Sequence, residues 1–145
     1  MSRVINPDSA GKERSHLTKS IVIALRTLTK QADVNDETRD LAAFIALALL
    51  RIDATIELSV QAWEKRGYWV KADKFRMEWV WTKKMGEQLR TAVLGEDWGT
   101  VAMISAQVGQ KLAKIKVPER HRLGTPWVGA YSILNKTVRL NNLTS

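Results

Sequence analysis

The sequence predicts an all-α protein, a helical bundle of four main helices plus a short C-terminal helix. Three observations lead there. Apolar residues recur three and four positions apart through the long segments, the period of one buried helical face. Glycine, proline and capping residues punctuate those segments, at Asn35, Gly67, Gly95, Asp97 and Pro118. No tandem repeat, low-complexity tract or β-hairpin pattern interrupts them. The 145 residues suit one domain with a true core. It is placed over residues 11–139, between a flexible lead (1–10) and a flexible tail (140–145).

The first helix is expected over residues 11–31, following a cap at Asp8 or Ser9. Leu17, Ile21, Ala24, Leu25 and Leu28 form its buried stripe, and Lys12, Lys19 and Arg26 a row read as a solvated face. Asn35 caps the second helix, over residues 36–66, while Asp36, Glu37 and Asp40 complement its positive end. From Leu41 to Leu50 that helix is apolar nearly all round, so it belongs at the centre. Further on, Asp53, Glu57 and Glu64 share one face. No histidine or glycine-rich loop accompanies these carboxylates, so they are read as partners for basic groups on a neighbouring helix or subunit rather than as an acid–base pair.

Gly67 turns the chain into a third helix, residues 68–93, on which the bundle is organised. Tyr68, Ala72, Phe75, Trp79, Thr82, Gly86, Leu89 and Val93 lie on one unbroken seam of steps of four and three. Beside it run Arg76, Lys83 and Arg90, one cation per seven residues and so about 10 Å apart. Gly95 is the expected C-terminal glycine. Asp97 with Thr100 opens the fourth helix, whose seam is Trp98, Val101, Ser105, Val108, Leu112 and Ile115. Lys111, Lys114 and Lys116 crowd its last turns, where the helix dipole favours cations. That effect does not reach Arg120 and Arg122. Thr125 as cap and Pro126 in the first turn would open the last helix, residues 127–139.

Lys plus Arg number 23 against 15 acids, a net charge of +8. The excess is uneven: residues 1–97 carry 16 basic and 14 acidic side chains, residues 98–145 seven and one. Such asymmetry points to a face for a polyanion, with nucleic acid the leading partner class, rather than to solubility alone. There is no cysteine, and His16 and His121 stand far apart in sequence. A metal site or other cofactor is therefore not expected. Neither a signal peptide nor a run of ~20 apolar residues is present, so a cytoplasmic protein without membrane attachment is expected.

Candidate phosphate contacts are Arg76, Lys83 and Arg90 first, then Lys111, Lys114, Lys116, Arg120 and Arg122. Lys71, Lys74 and Lys84 lie on other faces and suit subunit contacts. Of six tryptophans, Trp63, Trp79 and Trp98 fall on buried seams. Trp69 and Trp81 point elsewhere; base stacking is one use for them, and contact with protein is preferred. No dinucleotide fingerprint, P-loop, nucleophile elbow or metal signature occurs, and no enzymatic activity is expected.

Three stretches, AWEKRGYWVKADKFRMEWVW (62–81), GEDWGTVAMISAQVGQKL (95–112) and HRLGTPWVGAYSIL (121–134), resemble the C-terminal helical region of the large subunit in type I-D CRISPR effector complexes. In that system the region is also made as a separate small subunit. The resemblance implies a helical bundle present in several copies along a filament of backbone subunits that carry guide RNA. It further implies a bridge between backbone and large subunits that helps hold target nucleic acid, including the displaced DNA strand. The chemistry of such complexes lies in a recruited nuclease–helicase. The alternative is a helical adaptor or oligomerisation module whose charge meets an acidic protein partner.

Overall fold

A computed structural model describes residues 7–144, with side chains described for residues 9–137. It is all-helical: α1 (Pro7–Leu28), α2 (Asp36–Lys65), α3 (Trp69–Trp79), α4 (Trp81–Leu94), α5 (Trp98–Lys111) and α6 (Ala130–Thr144). No strand occurs among the described residues. Of the expected lead, residues 1–6 lie outside the described ones; α1 already begins at Pro7, where a proline's missing N–H costs nothing. At the other end, α6 runs to Thr144 where a loose tail was expected from Leu140.

The all-round apolar stretch of α2 does what such a sequence requires. Leu41, Ala42, Ala43, Ile45, Ala46, Ala48, Leu49 and Ile52 are buried, and α1, α3, α4 and α6 all pack on this helix, while α5 leans chiefly on α4. The approach of α4 is set by a missing side chain. A Cβ on Gly86 would come within 3.0 Å of Leu50 Cγ and 3.2 Å of Leu49 Cβ, so glycine is what lets the two backbones close. At its start, α2 carries the expected cap in full. Asn35 Oδ1 accepts from Thr38 N at 3.0 Å, and Thr38 Oγ1 accepts from Asn35 N at 3.2 Å.

The third predicted helix is interrupted at Val80. The backbone there stays right-handed (φ −59°, ψ −27°), but Thr82 Oγ1 donates to Trp79 O at 2.8 Å. A hydroxyl that binds a carbonyl one turn back competes with the helix's own ladder. The seam survives: Ala72, Thr82, Gly86, Leu89 and Val93 are buried, and Phe75 and Trp79 half-buried. Tyr68 does not share it, being 55% exposed.

Two terminations differ from expectation. Gly95 sits at the α4 C-cap with φ −86°, and the left-handed residue is Glu96, φ 55°. Its carboxylate accepts from Arg39 Nε at 2.8 Å and Trp98 Nε1 at 2.6 Å, contacts that hold a conformation glycine would adopt freely. Asp97 caps α5 as expected, accepting from Thr100 N at 3.2 Å. Helix α6 starts three residues later than predicted, and Thr125 does not cap it. Gly129, φ 83°, turns the chain, and Gly129 N and Tyr131 N donate to the two Asp40 oxygens at 3.0 and 2.9 Å. Asp40, expected to serve its own helix, caps another.

Candidate nucleic-acid interface

Two members of the row Arg76, Lys83, Arg90 meet the acidic stripe of α2, Arg76 at Glu57 and Glu64 and Lys83 at Asp53, and this changes what the row can do. Arg76 reaches Glu57 and Glu64 at 3.6 Å and Asp73 at 3.4 Å. Three carboxylates around one guanidinium leave it little charge to offer a phosphate. Burial pushes the Asp53 carboxyl above the usual carboxylate range, with the charges of Glu57 and Glu87 adding to this, while Lys83 pulls it back. Lys83 is exposed and Arg90 half-buried, and neither stands in an ion pair among the described residues. The sequence reading of Asp53, Glu57 and Glu64 as partners for a neighbouring basic helix therefore fits, and the helix concerned is the one given first rank for phosphate.

The second set stands differently. Only Lys111 occupies the last turn of α5; Lys114, Lys116, Arg120 and Arg122 lie on the irregular segment that follows. The helix dipole thus accounts for one of these cations rather than three. All five are exposed and none is ion-paired among the described residues, and Glu119 is the sole acid between them in sequence. The segment has no regular hydrogen bonding, yet it is nailed down. Leu112 and Trp127 are buried at its ends, with Ile115, Val117 and Leu123 against the core between them. Arg26 donates to Val117 O at 2.7 Å.

That bond brings α1 into the site. Arg26 and Lys30 line a cleft of about 420 Å³ together with Glu119 and His121. Arg26 and Lys30 thus stand against the same segment that carries the later cations, across a cleft that also holds Glu119. Sequence reasoning read Arg26 as part of a solvated row and did not single out Lys30. The only signal available was the spacing of Lys12, Lys19 and Arg26, which carries no information about the later segment.

A second depression, about 780 Å³, opens between α4 and α5, with Trp81, Met85, Met103 and Ile104 among its walls. Among the described residues no group of three or more histidines and acids is placed to hold a metal ion. No described helix is long and apolar enough to cross a membrane. No protein-family model matches the chain, nor does any curated protein or solved structure.

Proposed function

We propose that the chain is a non-catalytic, nucleic-acid-binding helical subunit, the small subunit of a type I-D CRISPR surveillance complex. In this reading it works in the cytoplasm without a cofactor, in several copies, between the backbone and large subunits and against target DNA and the guide RNA complex. Helices α1, α2, the interrupted pair α3–α4 and α5 act as the four main members of one bundle domain, with α6 the short fifth. The observation that carries the reading is the anchored segment 111–122, which presents five unpaired cations beside one acid. Base pairing to a guide supplies sequence, so such a subunit need contribute only shape and positive charge. The sequence resemblance adds the assembly in which that charge is used.

The test is binding to single- and double-stranded oligonucleotides as salt rises. The wild-type chain loses affinity steeply, and replacing Lys114 and Lys116 with alanine makes the slope shallower by about 0.7 per lost contact on a single strand and 0.9 on a duplex. Loss of affinity with an unchanged slope would count against phosphate contacts at these positions. The apolar groove between α4 and α5 favours the second reading, an adaptor for a protein partner. That reading gains if the chain binds neither nucleic acid at low salt.

A further inference from the structure

The chain has six tryptophans, two tyrosines and two phenylalanines. Eight of these rings are buried or half-buried, and the two that are exposed are neighbours, Tyr68 at 55% and Trp69 at 59%. They stand at the corner where α2 passes into α3. We propose that this corner is a stacking platform for unpaired bases of a single-stranded nucleic acid, with Tyr68 and Trp69 as the rings and Lys65, Arg66 and Lys74 as flanking phosphate contacts. The proposal rests on the nucleic-acid reading above and adds the residues that would hold unpaired bases.

The corner is rigid. Gly67 takes φ 80°, Gly67 N donates to Glu64 O at 3.0 Å and Tyr68 N to Trp63 O at 2.9 Å, the paired bonds of a helix stop built on a left-handed glycine. Tyr68 O in turn accepts from Ala72 N at 3.0 Å, starting α3. Beneath, Trp63 and Phe75 meet edge to face with centroids 4.9 Å apart and fasten α3 to α2. Rings held on such a frame lose little freedom when a base settles on them.

The corner also carries an excess of positive charge, to which Arg76 contributes. Glu57, Glu64 and Asp73 are all engaged by that guanidinium, and Glu78 faces Arg14. Arg76 offsets one of those three charges, and the four cations Lys65, Arg66, Lys71 and Lys74 outnumber the two that remain; Lys65, Arg66 and Lys74 are exposed and stand in no ion pair among the described residues. Lys71 leans over the Trp63 ring at 4.6 Å. The sequence alone preferred protein as the partner of Trp69. Protein interfaces, however, are depleted in lysine at their centres, whereas exposed rings among unmatched cations are the means by which proteins hold single strands without reading sequence. A duplex keeps its bases stacked inside and offers these rings nothing.

The test uses the full chain and a labelled oligothymidine against a duplex of equal length, at low salt, with wild type, Trp69→Ala, Trp69→Phe and Tyr68→Ala. Thermal melts and oligomeric state are measured on each protein. Trp69→Ala is expected to weaken single-strand binding about tenfold and Tyr68→Ala severalfold. Trp69→Phe should keep most of the affinity, and duplex binding should stay within about twofold of wild type. The inference is overturned if folded variants keep full single-strand affinity, or if both nucleic acids are lost equally. A folded Trp69→Ala that binds normally but no longer self-associates would assign the corner to protein contact instead. If wild type binds neither nucleic acid, the broader reading falls with it; if only the selective loss is missing, the platform alone falls. Should alanine at 69 prevent folding, Trp69→Phe decides through Tyr68→Ala in the same background.

Discussion

Arg76 is ringed by Glu57, Glu64 and Asp73 at 3.4–3.6 Å, so its removal matters more for what it uncovers than for what it touches. Arg76→Ala is expected to cost about 1 kcal/mol in urea unfolding, a small figure because the side chain is 39% exposed and screened. It should also weaken single-strand binding by leaving three free carboxylates beside the α2–α3 corner, and adding Glu57→Gln and Glu64→Gln should recover that binding. Asp53 gives a pH signature of opposite sense to an ordinary salt-bridged acid. Burial raises its folded-state value, so the folded chain holds this proton more tightly than the unfolded one. Stability from this group is therefore greatest at low pH relative to neutral, and falls as pH rises through the carboxylate range from about 4. Asp53→Asn should raise the melting temperature near pH 7, with the gain shrinking toward pH 3 as Asp53 itself becomes protonated.

At the scale of elements, what a short sequence window contains was legible and what it does not contain was not. Asn35 and Asp97 were both legible as caps, since the partners they find, Thr38 and Thr100, lie three residues away. The central position of α2 follows from its lack of a polar face. By contrast, Asp40 meets Gly129 and Tyr131, 89 and 91 positions on, and nothing near it announces this. Glu96 takes the left-handed turn because Arg39, 57 positions away, holds its carboxylate; the sequence offered Gly95 next door. The cationic row and the acidic stripe were each visible, but their meeting depends on the packing of α3 and α4 on α2. Asp40→Ala, which removes the cap from α6, should cost about 1–2 kcal/mol. Limited proteolysis should then cut within residues 124–136 before the rest of the chain.

Across the whole molecule, stability should be graded by how many neighbours each helix has. Helix α2 is packed on by four others, whereas α3 leans mainly on α2. Native-state hydrogen exchange is expected to find the slowest amides in α2 between Leu41 and Ile56, and faster opening in α3. Equal protection across both helices would contradict this grading. The consequence for the candidate sites is a division of character. The segment that follows α5 is irregular but held by buried Leu112 at its start, by Arg26 on Val117 O, and by buried Trp127 beyond the cations, and the α2–α3 corner is fixed by its own backbone bonds. Positive charge and exposed rings thus sit on parts that need not reorganise to meet a strand.

The two bonds from Asp40 to the start of α6 also order events in time. As the chain leaves the ribosome, Asp40 is made long before the residues it will hold have been added. Until Gly129 and Tyr131 emerge, the seat for Leu134 stays open to water. Of the helices that pack on α2, α6 is therefore the last made.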